Sequence, residues 1–224
     1  MTLQLSPAEA RVLAALVEKS VATPQYYPMT VNAIMLAANQ KTNRNPVTSL
    51  SEGEVGAALN ALEQHRLVAR DDFGGRVPKW RHHFHNQLLL KPPVMAVLAT
   101  LMLRGPQTLS ELRANAAGLG GPEDFDGVNA VLADLADRAQ PLALLLPRAP
   151  GQKEARYAHL LSGEPPMAAA TAEMSLARSE RANPSQKVSV AELIERISAL
   201  EARVAELELE QKCPPNSIST SFKK

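Results

Sequence analysis

Apolar positions recur at helical spacing through the first two thirds of the chain, and they do so twice in the same order. Ser6-Pro7-Ala8-Glu9 reads as an N-cap, a first-turn proline and a capping box, ahead of the stripe Val12, Leu13, Leu16 and Val17. A second helix is predicted from about Thr30 to Ala38, with Val31, Ile34 and Leu36 available for burial. A third opens with the box Ser51 to Glu54 and carries Val55, Leu59 and Leu62 at i, i+4 and i+7. Leu67-Val68-Ala69 then reads as a strand, Gly74-Gly75 as a turn, and Val77 to Phe84 as the returning strand, with Pro78 near its start or at an edge. On that strand Trp80 and Phe84 are suited to fill the core.

The same order returns after residue 91. Pro93 opens a helix with Val94, Val97, Leu98 and Leu101, and Gly105-Pro106 ends it. Thr108 and Glu111 have capping-box spacing. Val128, Leu132 and Leu135 repeat the spacing of Val55, Leu59 and Leu62. Leu142 to Leu146 and Arg156 to Leu160 read as a second hairpin, joined by a turn over Pro147 to Gly151, and Arg156-Tyr157-Ala158-His159 matches Lys79-Trp80-Arg81-His82. The pattern predicts an α+β fold: tandem winged helix-turn-helix domains at 5–90 and 91–163, followed by a coiled-coil-like C-terminal helix.

Between its second and third helices the first copy carries an extra polar piece, Gln40 to Pro46. It reads either as a plain connector or as a DNA-backbone or partner contact, since its lysine and arginine can neutralise phosphate.

The last third differs. Residues 164–188 read as a linker with a short helix. Residues 189–213 read as a dimerisation helix, with β-branched Val190, Ile197 and Val204 at heptad a positions and Leu193, Leu200 and Leu207 at d. That combination favours a parallel two-stranded coil and a homodimer; docking of the same helix on its own winged domains is the alternative. Pro214-Pro215 ends it, and 214–224 reads as a flexible tail.

These motifs carry a resemblance. The chain resembles the UPF0502 or YceH-like family, also called domain of unknown function 480, over about residues 5–163. The likeness rests on Leu16-Val17-Glu18-Lys19, Thr23-Pro24-Gln25-Tyr26-Tyr27-Pro28, Asn39 to Val47 and Leu50 to Val55. In the second copy it rests on Leu103 to Arg113 and Glu154 to Gly163. The resemblance implies tandem winged helices and a bacterial origin, and no known ligand or reaction. Where the family pattern has Asn-Arg-Asp-Pro-Val, this chain has Asn43-Arg44-Asn45-Pro46-Val47. One negative charge is therefore absent.

Composition narrows the function. The chain has 224 residues, 45% of them hydrophobic, with no apolar run of membrane-spanning length and no secretion-signal pattern at its start. The single cysteine, Cys213, cannot form an intramolecular disulfide, and the simplest localisation is cytoplasmic. A binding protein is expected, either a bacterial DNA-binding transcriptional regulator or a tandem winged-helix scaffold that contacts another protein without binding DNA. Candidate contacts to double-stranded DNA are Lys41, Asn43, Arg44, Asn60, Gln64, Arg76, Lys79 and Arg81.

Charge argues against a broad basic field. Residues 1–90 carry nine Lys/Arg against seven Asp/Glu, residues 91–163 seven of each, and residues 164–224 eight against nine. The third helix of the first copy has no cation before Arg66, and Glu123, Asp124, Asp126, Asp134 and Asp137 make that of the second acidic. A surface joining Lys41, Arg44 and the first wing would favour DNA; an apolar or acidic surface would favour a protein partner.

Catalytic patterns are weak. His82, His83 and His85 split between two strand faces, and Gly118 to Gly121 lacks the lysine and hydroxyl residue of a phosphate loop. No enzyme activity, cofactor or metal is expected. Tyr26, Tyr27 and Met29 are suited either to line a ligand cavity or to cover the first helix.

Overall fold

The computed structural model describes residues 3–71, 77–148, 152–163 and 203–204. Two compact units divide the chain, Met1–Glu173 and Met174–Lys224. In the second unit only Arg203 and Val204 are described, both helical and exposed. Val190, Leu193, Ile197, Leu200 and Leu207 lie outside the described residues, as do Arg76, the Gly74-Gly75 turn, the linker and the tail.

The first repeat starts at α1, Pro7–Ala22. Ser6 Oγ accepts from Glu9 N–H and Glu9 Oε2 accepts from Ser6 N–H, which closes the expected box. The burial of α1 exceeds a single stripe: Ala10 to Val17 are buried without a break. Such a helix lies inside a core and is covered on every side. The short strand β1 (Met29–Thr30) leads into α2 (Val31–Ala38), where Thr30 Oγ1 caps Ala33 N–H. Leu36, expected to be available for burial, is exposed. The third helix, α3 (Glu52–Gln64), is capped by Ser51 and Glu54 and buries Val55, Ala58, Leu59 and Leu62.

A hairpin follows. Strand β2 (Val68–Asp71) pairs antiparallel with β3 (Lys79–His82), and β1 pairs with the other edge of β3. Directly opposed residues are Val68 and His82, and Arg70 and Trp80. The returning strand is shorter than expected, because Phe84–Gln87 forms one helical turn, α4. The ladder ends where His83 N–H reaches back to Leu67 O, after which Asn86 and Gln87 N–H both turn onto His83 O. Trp80 and Phe84 are both buried, so their core role holds with Phe84 on the turn.

The second repeat runs α5 (Pro92–Arg104), α6 (Leu109–Ala116), α7 (Phe125–Ala136), β4 (Ala143–Leu146) and β5 (Arg156–His159). Thr108 and Glu111 cap α6 as a box, and Asp124 Oδ1 caps α7 through Gly127 N–H. In place of a third strand, Gln107 exchanges two backbone hydrogen bonds with Tyr157, which repeats the pairing of Met29 with Trp80.

One continuous core runs through both repeats. Its centre is the packing of α1 against α5, where Ala96 to Leu103 are buried as completely as their counterparts on α1. Backbone bonds stitch the seam: Leu5 N–H to Leu161 O at 2.6 Å and Asn45 N–H to Leu103 O at 2.9 Å. A repeat this small exposes much of its apolar surface when alone, and sharing the first helices removes that surface from water.

Candidate binding surfaces

The polar piece between α2 and α3 is built inward. Arg44 is 6% exposed. Its Nη1 and Nη2 donate to Glu18 Oε1 and Oε2 at 3.1 and 2.5 Å, and Nε and Nη2 also donate to Ala37 O. This two-pronged geometry suits the planar guanidinium, and it leaves the side chain turned into the fold, away from any phosphate backbone. Arg11, beneath it, donates to Pro46 O at 2.8 Å. Burial and the neighbouring Arg44 charge lower the Arg11 pKa. The candidate contact Arg44 is thus placed as a fold-holding residue. Lys41 and Asn43 stay exposed, and Asn43 Oδ1 accepts from Arg104 Nη2.

On α3, Asn60 and Gln64 are exposed together with Glu52, Glu54 and Ala57. Arg70, which the sequence reading passed over, lies beside them. It donates to Asn60 Oδ1 at 3.2 Å, sits 3.8 Å from Glu63 and stacks over the Trp80 ring, 5.0 Å from its centroid. The period-two alternation of β2 was its available signal, since it sets Arg70 opposite Trp80. Lys79 and Arg81 occupy the outward face of β3, and Arg81 forms an ion pair with Asp71 across the hairpin. Of the described cations of this hairpin, Arg70 and Arg81 are paired with Glu63 and Asp71, and Arg44 is buried, so it adds nothing to a basic surface here.

The second repeat offers a different surface. An apolar groove of about 250 Å³ runs between α7 and the β4–β5 hairpin, lined by Leu132, Ala133, Ala136, Leu144, Leu145 and Tyr157. Leu145 is 53% exposed at its edge. Asp134, on α7, is paired with Arg138 at 3.0 Å, and Asp137 caps the end of the helix.

The histidine segment does not divide by strand alternation, because β3 ends at His82 and the turn α4 brings the His85 ring edge-on to that of His82, 5.9 Å between centroids. His82 is buried: its Nε2 lies 3.0 Å from Ser20 Oγ, and its N–H donates to Tyr27 Oη. Because Ser20 Oγ already donates to Val17 O at 2.7 Å, it accepts from Nε2–H of His82. An imidazole in that tautomer cannot take the serine proton, so the pair lacks the geometry of an activated nucleophile. Burial drops the His82 pKa to about 4 and raises that of Tyr27 to about 12. Met29 lies in the core and Tyr26 is exposed, which separates the three residues considered for a ligand cavity. Among the described residues no group of three His, Cys, Asp or Glu side chains is arranged to hold a metal ion. No described helix is long and apolar enough to cross a membrane.

Residues 5–152 match the sequence model of a family described as "Protein of unknown function, DUF480". The chain belongs to this family. A UPF0502 protein of Geobacter sulfurreducens is 44% identical over 209 residues, covering 92% of this chain and 91% of the relative. A UPF0502 protein of Azoarcus sp. strain BH72 is 47% identical over 204 residues, covering 91% and 89%. One from Pelobacter propionicus is 49% identical over 164 residues, covering 73% and 75%. The matched segment of this DUF480 chain contains Glu18, Arg44, Asn60, Arg70, Arg104 and Leu145, so every surface described above except the end of the second hairpin falls within it.

Proposed function

We propose that this chain is a non-enzymatic protein-interaction scaffold built on two winged helix-turn-helix repeats. Three helices followed by a hairpin, given twice, support the winged reading. In that architecture the third helix and the wing form the working surface.

The observation that carries the choice of partner is the α7–hairpin groove. Where a DNA reader presents cations, this groove presents exposed Leu145 and an apolar floor, with no lysine or arginine in its lining. Such a surface offers phosphate no cation, whereas an apolar side chain of a partner protein is matched by it. The heptads of residues 189–213 support a cytoplasmic homodimer that presents the groove twice.

DNA recognition by the first repeat is the second reading. It rests on Asn60 and Gln64, exposed on α3 beside Arg70, with Lys79 exposed on the wing. Selection of genomic fragments by the intact chain at near-physiological salt, followed by sequencing, separates the two. The scaffold reading expects no reproducible motif. A motif lost on replacing Asn60, Arg70 and Lys79 would put DNA in first place.

A further inference from the structure

A polar cavity of about 240 Å³ opens where the loop after α2 meets the end of α5 and the start of α6. At roughly 30 Å³ per water it has room for ~8 waters, or for one small anion with part of its hydration shell. Arg44, Arg104 and Arg156 line it, together with Asn43, Asn45 and the acidic Glu111, the Arg44 side chain being wholly buried against Glu18.

The charges of the wall do not balance. Arg44 is held by Glu18, and Arg156 by Glu111, with Nη1 to Oε2 at 2.8 Å. Arg104 has no carboxylate within ion-pairing distance among the described residues, and donates only to Asn43 Oδ1. A guanidinium has five donors, so most of those on Arg104 are open. The negative end of α5 does little to offset it. Asn45 N–H already occupies Leu103 O, Gly105 N–H occupies Leu101 O, and Gln107 Nε2 reaches Thr100 O. Because Asn43 Oδ1 faces Arg104, its amide nitrogen is free to donate, and Asn45 likewise makes no side-chain hydrogen bond among the described residues. The cavity thus offers one uncompensated positive charge and two carboxamide donors.

We infer that this cavity binds a small oxyanion, a phosphate or a carboxylate group, through Arg104 with Asn43 and Asn45. The site stands apart from the α7 groove and does not depend on the scaffold reading. Neutral amides at 43 and 45 suit it, because a carboxylate at either place would compete for the same guanidinium.

Isothermal titration of the full chain tests this, with sodium phosphate in one arm and sodium succinate in the other, at constant ionic strength set by sodium chloride. Saturable binding in either arm is expected, and the arm that responds identifies the anion class. Arg104→Gln and Asn45→Asp should each weaken it by about tenfold or more, whereas Arg104→Lys, which keeps the charge, should retain most of it. Circular dichroism confirms folding; should Arg104→Gln fail to fold, Asn45→Asp decides alone. No saturation with either anion, or binding unchanged in the folded variants, overturns the inference.

Discussion

His82 and His159 occupy the same place in the two repeats: each ends the last strand of its hairpin, and each has a buried Nδ1 without a hydrogen-bond partner. Burial holds both imidazoles neutral, with the pKa brought down to about 4 from an ordinary 6.5. The unfolded chain takes up protons between those values and the folded chain does not. Stability is therefore full above pH 6.5 and is lost as pH falls from there toward 4. The loss amounts to at most about 3 kcal/mol per histidine. Denaturant unfolding at pH 7 and pH 4.5 should show it, and proton NMR should find both rings titrating well below 6.5. Ordinary titration near 6.5 would contradict the account.

The ion pair of Arg44 with Glu18 should matter far more than the exposed pair of the β2–β3 hairpin. Removing Glu18 leaves a buried guanidinium with its charge uncompensated, since the Arg44 side chain is 0% exposed. Glu18→Ala is expected to cost about 3–5 kcal/mol in chemical denaturation. Arg81→Ala breaks a pair whose arginine is 47% exposed and should cost about 0–1 kcal/mol. Equal effects would show that the loop after α2 is not anchored through Arg44.

Thr108 closes a capping box whose Glu111 also receives Arg156. Desolvation pulls the Glu111 pKa up, but the bonds from Thr108 together with the hydrogen bond and charge of Arg156 outweigh it and lower the pKa. Thr108→Ala should destabilise the chain by about 1 kcal/mol, and Thr108→Ser should restore most of it. The midpoint of urea unfolding reads this directly; no shift for Thr108→Ala would mean the box contributes nothing.

Local signals were the legible ones. Ser6, Ser51 and Thr108 cap their helices as the S/T-x-x-E spacing predicts, because a cap involves four neighbouring residues. The matching hairpins were legible for the same reason. What the sequence did not yield depends on distant partners. Arg44 reads as an exposed cation until α1 brings Glu18 against it across 26 positions. The burial of α1 on every side was hidden because its second cover, α5, belongs to the other repeat. Likewise the cavity at Arg104 needs residues from three separated segments. Arg70 was within reach, and the strand alternation points to it.

The groove should tolerate change without loss of the fold. Leu145 is about half exposed and stands at its edge, so Leu145→Glu should alter stability by no more than about 0.5 kcal/mol while abolishing partner binding. Thermal unfolding checks the first half, and co-purification of a partner the second. A strongly destabilised variant would mean that Leu145 serves the core instead.

Site-specific photocrosslinking in living bacterial cells tests the scaffold reading most directly. A photoreactive residue replaces Leu145 in one form of the intact chain and Asn60 in another. The account predicts a discrete protein adduct from position 145, lost when Ala133→Glu is added, and no nucleic-acid adduct from position 60. Nucleic acid captured at 60, with no protein captured at 145, would contradict it.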